Sequence, residues 1–96
     1  MFEKGKMLFE LKKIQSQLAK ESIEIETGNG AVRVKINGEQ KIQKITLNDE
    51  LIAEAGDLRK VEKWIESAVT QAITRSQQLA AEKMKSVAGG LGLPGL

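Results

Sequence analysis

"TGNGAVRVKINGEQKIQKITLN", residues 27–48, decides the fold. Val32, Val34 and Ile36 alternate with Arg33 and Lys35, and just upstream Ile23 and Ile25 alternate with Glu24 and Glu26. A period of two puts each set on one face of a strand. Asn29-Gly30 is a favoured centre for a two-residue hairpin turn, because both residues tolerate positive φ. That turn sets Ile25 opposite Val34 and Ile23 opposite Ile36, with Glu26 opposite Arg33 and Glu24 opposite Lys35. A slip of one residue would put isoleucine against a base, so the register is strongly specified.

A third strand follows Asn37-Gly38, over 41–48. Its apolar residues Ile42, Ile45 and Leu47 change parity midway, and a bulge near Gln43 or Lys44 returns all three to one face. The expectation is a three-stranded antiparallel meander over 22–48, with one aliphatic and one charged face. A glycine loop that cradles phosphate joins a strand to a helix N-terminus. Both glycine turns here join strand to strand, so the sheet reads as scaffold. Its charged face reads as cross-strand pairs of Glu24 and Glu26 with Arg33 and Lys35.

Helices flank the sheet. Met7, Leu11, Ile14 and Leu18 keep helical spacing, predicting a helix over 6–20. Opposite that seam, Lys6, Lys13 and Lys20 recur every seven residues, with Phe9 and Ser16 between them. "NDELIAEAGD" is an acidic connector over 49–57, with a short helical turn capped by Asn48. A long helix is predicted over 58–86. Val61, Ile65, Ala68, Ala72 and Leu79 form its seam, and Leu58, Val69, Ile73 and Ala80 widen it. At 1.5 Å per residue it is about 40 Å long, whereas a six-residue strand spans only about 20 Å. Its far half must therefore project or pack on another helix, and the first helix is the nearest candidate. Residues 1–88 form a single domain on this reading, and the Gly-rich 89–96 a flexible tail.

Composition narrows the chemistry. The 96 residues contain no Cys and no His, which removes disulfides, thiolate sites, and the commonest general base and transition-metal ligand. Catalysis, a cofactor, a metal and a small-molecule substrate are not expected. The acidic cluster Asp49, Glu50, Glu54 and Asp57 lacks the spacing of a calcium loop. No apolar run approaches the roughly 20 residues of a membrane span, and a cytoplasmic protein with no membrane partner is expected. With two Phe, one Trp and no Tyr, the core must be aliphatic and small, a shortage that self-association would relieve.

The net charge of +2 is unevenly spread. Residues 1–20 carry five Lys against two Glu, and residues 58–85 carry six bases against three acids. The lysine stripe, Arg75, and the Lys83-Met84-Lys85 end of the long helix, where the seam is expected to stop near Leu79, form a candidate polyanion surface. The same features suit a plain helical oligomerisation module. Trp64, at the edge of the seam, suits packing at the sheet or a dimer interface, since one aromatic makes no base-stacking platform.

The order helix, three-stranded meander, long helix resembles the YbaB/EbfC nucleoid-associated proteins of bacteria. The resemblance covers nearly the whole chain. It rests on "MFEKGK" before a Gln/Lys-rich helix, on "GNGAVRVKINGEQKIQKITLN" in place of the family's G-x-G-x-V-x-V-x-x-x-G strand pair, and on "AVTQAITRSQQLAAEKMKSVAGGLGLPGL". It implies an α+β homodimer whose helices project from the sheets as paired arms. It also implies binding of double-stranded DNA with little sequence preference, in nucleoid organisation or gene regulation, and no enzymatic activity or cofactor. On that basis Lys6, Lys13, Lys20, Arg75, Lys83 and Lys85 are the expected DNA contacts. Val32, Val34, Ile36, Ile45, Trp64 and Ile65 are the expected dimer interface. The alternative is a protein–protein interaction module with incidental DNA affinity.

Overall fold

A computed structural model describes residues 4–90. Its elements are α1 (Lys4–Lys20), β1 (Ser22–Thr27), β2 (Val32–Asn37), β3 (Ile42–Leu47), α2 (Asp49–Ala55) and α3 (Leu58–Gly90). The α-β-β-β-α order matches the sequence reading, with the acidic connector forming the short helix α2. Asn48 caps α2 by accepting the Leu51 amide, and Gly56 ends it in the left-handed region. The long helix runs past residue 86 to Gly90, and residues 91–96 of the expected tail lie outside the described residues.

The sheet is antiparallel in the order β1-β2-β3. Ile25 pairs with Val34, Ile23 with Ile36, Glu26 with Arg33 and Glu24 with Lys35, the register the turn implies. Asn29 and Gly30 have φ of 57° and 93°, and the Ala31 amide donates to the Gly28 carbonyl at 3.1 Å. Positive φ at both central residues matches the right-handed twist of the flanking strands. Between β2 and β3 the pairing jumps from Lys35–Lys44 to Ile36–Ile42, so Gln43 is the bulged residue. The bulge returns Ile42, Ile45 and Leu47 to one face.

α3 lies along β2 and is held at both ends of it. At the β1–β2 turn the Trp64 ring packs so closely on Gly28 that a Cβ there would meet ring carbons at 2.6 Å, and Thr27 Oγ1 donates to the Trp64 carbonyl at 2.8 Å. At the β2–β3 turn stands Ser76, fully buried. Its Oγ donates to the Asn37 carbonyl at 2.7 Å and accepts from the Gln40 amide and Gln40 Nε2, each at 3.0 Å. The twelve steps from Trp64 to Ser76 rise about 18 Å, close to the roughly 20 Å of a six-residue strand. Between these points Ala68 and Ala72 let the helix sit close on Ile25, Val32, Val34 and Ile36.

The same turn anchors α1. The Gly38 amide donates to the Leu18 carbonyl at 2.8 Å and Asn37 Nδ2 reaches the Ala19 carbonyl at 3.4 Å, so carbonyls that the helix end leaves open find partners. A Cβ on Gly38 would meet that Leu18 carbonyl at 2.8 Å, which reserves the position for glycine. Ile14 and Leu18 are buried, and α1 packs on α3. Past Ser76, α3 runs on beyond the sheet, where Leu79, Ala80, Lys83 and Val87 remain half-covered. The outcome is elongated, 63 × 23 × 15 Å, with a radius of gyration of 17.9 Å against the 12–13 Å or so of a compact chain this long.

Ser76 was not singled out by the apolar spacing, yet it sets where the helix leaves the sheet. Replacing it with alanine strands the Gln40 amide and the Asn37 carbonyl, and is expected to cost about 1–3 kcal/mol. Urea unfolding of Ser76→Ala measures this, and an unchanged midpoint would contradict the role given to the hydroxyl.

Candidate nucleic-acid interface

The basic residues sort by the elements that carry them. On α1, Lys6, Lys13 and Lys20 are exposed on the side away from Ile14 and Leu18. Phe9 stands among them, 66% exposed, beside an exposed Leu8. On α3, Arg75 and Lys85 are exposed, and so are Ser67, Thr70, Thr74, Gln77 and Gln78 between and around them. Side chains of these types donate hydrogen bonds to phosphate oxygens without reading sequence.

Lys83 behaves differently. The buried stripe of α3 does not stop at Leu79, because α1 covers the next turns. Lys83 falls on that stripe, is half-buried, and places its ammonium 3.7 Å from Glu21 at the end of α1. Of the basic tip expected at Lys83-Met84-Lys85, Lys85 is therefore the exposed cation, with Lys83 partly balanced and Arg75 about three turns earlier on the helix. Helical spacing places a residue on a face, but it does not say which neighbour covers that face.

The expected dimer residues separate in the same way. Val32, Val34 and Ile36 are at 0% exposure within one chain, covered by α3, so their side chains offer nothing to a second copy. Trp64 and Ile65 are half-buried against the same core, and Lys60 Nζ sits 5.7 Å from the Trp64 ring centre. Leu58, expected to widen the seam, is 73% exposed at the start of α3. Ile45 alone of the expected set is clearly open, at 46%. It shares its face with Ile42 and Leu47, at 42% and 44%.

Among the described residues no cluster of carboxylates is arranged to hold a metal, and no helix is long and apolar enough to cross a membrane. Asp49 and Glu50 sit in the first turn of α2, where the helix dipole favours negative charge.

With this geometry the comparisons are consistent. Residues 1–91 match the YbaB/EbfC DNA-binding family. The chain belongs to that family. Among its relatives, a nucleoid-associated protein of Syntrophobacter fumaroxidans is 33% identical over 84 residues, which is 88% of this chain and 76% of the relative. One from Ruminiclostridium cellulolyticum is 33% identical over 97 aligned positions, 100% of this chain and 84% of the relative. An uncharacterized protein of Helicobacter pylori, known from its crystal structure, superposes with a TM-score of 0.65 at 18% identity, covering 91% of this chain and 95% of that one. That likeness shows a shared fold. The family is one of DNA-binding proteins, and these bacterial relatives are named nucleoid-associated proteins.

The Lys83–Glu21 contact has both partners more than a third exposed, and such pairs contribute about 0–1 kcal/mol. Glu21→Gln should therefore shift urea-unfolding stability by less than about 1 kcal/mol. A loss above about 2 kcal/mol would mean that the pair, rather than the Ser76 joint and the apolar seam, holds α1 to α3.

Proposed function

We propose that the protein works as a homodimer that binds duplex DNA through its projecting helices, with weak sequence preference, in nucleoid organisation or gene regulation. What supports this reading most is the exposed lysine row of α1, Lys6, Lys13 and Lys20, on an arm built with the distal half of α3, in a chain of the YbaB/EbfC family. Arg75 and Lys85 add charge along the same arm, and Lys83 joins them when DNA competes with Glu21.

The second copy is assigned to the β3 side. β3 is an edge strand with an unpaired ladder, and its apolar row Ile42, Ile45 and Leu47 is little less than half exposed. An uncovered edge with apolar side chains is a ready template for another strand. Burying what remains exposed is worth roughly 1 kcal/mol for each of the three side chains, at about 25 cal/mol per Å². A two-fold pairing on this side closes the assembly at two chains and leaves the arms outward.

The arms present chiefly lysines and short polar groups, with Arg75 as the guanidinium among them. Binding then comes chiefly from phosphate neutralisation and counterion release. If a dimer engages about six phosphates, log K against log[salt] has a slope near −5. Fluorescence anisotropy of a labelled duplex across a salt series measures it, and an affinity unchanged between low and moderate salt would remove the mechanism. Lys13→Glu with Lys83→Glu should weaken binding to unrelated sequences about equally. Loss confined to one sequence would instead reveal base contacts, and retention of full affinity would move the interface off the arms.

A further inference from the structure

The outer face of the sheet, away from α3, carries an arrangement that the arms do not explain. The bulge at Gln43 sets Lys44 directly opposite Lys35 across the β2–β3 ladder. Like charges in this position oppose strand pairing. The carboxylates nearby do not relieve them. Glu26 meets Arg33 Nε at 3.1 Å and Glu24 leans to the same guanidinium at 4.0 Å, although Glu24 is the cross-strand partner of Lys35. Among the described residues neither Lys35 nor Lys44 has an ion-pair partner.

Glu24, Arg33, Lys35, Lys44 and Thr46 line a shallow concavity of about 350 Å³. Three cations and a hydroxyl thus face one carboxylate that is already engaged by Arg33. We propose that the Lys35–Lys44 pair is a phosphate-binding site on the body of the protein, and that it takes a backbone phosphate of duplex DNA as a contact additional to the arms. The DNA source rests on the function proposed above, whereas the phosphate chemistry does not.

A phosphate oxygen between the two ammonium groups turns a repulsive pair into two charge-assisted hydrogen bonds, and Thr46 Oγ1 and Arg33 supply further donors. The concavity is open and no apolar or aromatic residue lines it, so it suits one charged group of an extended polyanion more than a small ligand that must be buried. Lys44 also lies on the edge strand assigned to the dimer contact. Two copies joined along β3 would bring two such pairs to the same central face, between the arms.

Lys35→Gln with Lys44→Gln tests the site. The exchange removes a repulsion, so folding should be unharmed, and a urea midpoint at or above wild type verifies that the variant is sound. Against labelled duplex, the salt slope should become less steep by about 0.9 for each phosphate given up, with affinity lowered for all sequences alike. In parallel, the lysine side-chain NMR signals of the wild-type protein are followed during titration with inorganic phosphate. A shallower slope establishes the DNA backbone as the source. An unchanged slope with selective phosphate shifts at Lys35 and Lys44 keeps the site and makes free phosphate its ligand. An unchanged slope with no selective shifts overturns the site, as does a response only to an acidic peptide such as oligoglutamate. If wild type binds no duplex, the function proposed above fails, and the phosphate titration alone decides this site. Lys44→Glu, which puts an opposite charge across from Lys35 in place of a like one, should abolish whichever phosphate response this site shows.

Discussion

One α-helix cannot cover three β-strands. A helix with its side chains is about 10–12 Å across, and strands lie about 4.8 Å apart, so one helix laid along a sheet shields about two of them. α3 takes β1 and β2, and the apolar face of β3 is left nearly half exposed to solvent. The same helix is too long for the strands it covers and runs past the sheet, where α1 joins it. Both halves of the proposed function follow from this mismatch. The shortfall in width leaves an edge for a second copy, and the excess in length makes an arm.

The arm has a defined direction because α3 is fixed at two points one strand length apart. Gly28 accepts the Trp64 ring, and the hydroxyl of Ser76 ties α3 to the β2–β3 turn. That turn also receives the C-terminal end of α1 through Gly38 and Asn37. The departure of α3 and the arrival of α1 are therefore set by one loop of a few residues. A lysine row on α1 is useful against DNA only if the helix beneath it points the same way in every molecule. Hydrogen bonds to a fixed turn supply that constraint more directly than an apolar seam, which tolerates sliding.

Much of this was legible from local pattern. The Asn29-Gly30 turn specified the β1–β2 register, and the parity change from Ile42 to Ile45 required the bulge that the structure places at Gln43. Strand alternation separates the two faces, but it cannot say how much of the apolar face one helix covers. For that reason Val32, Val34 and Ile36 were expected at a dimer contact and instead lie under α3. Helical spacing likewise placed Lys83 on the stripe, but the contact with Glu21 depends on where α1 packs. Ser76 looked like one more small polar residue. Its role depends on Gln40 in a turn 36 residues away in sequence, which no window along the chain reveals. The opposition of Lys35 and Lys44 follows only once the bulge is placed at Gln43 and the β2–β3 turn fixes Ile36 against Ile42.

In the proposed dimer, the β3 row that α3 leaves partly exposed joins the two chains. Sedimentation equilibrium at micromolar concentration, run on wild type and on Ile45→Lys, tests it most directly. Twice the 10.5 kDa chain mass is expected for wild type. The variant, which should remain folded because Ile45 is already partly open to solvent, is expected at the mass of one chain. A wild-type protein that sediments as a single folded chain, or a variant that still pairs as tightly as wild type, would contradict it.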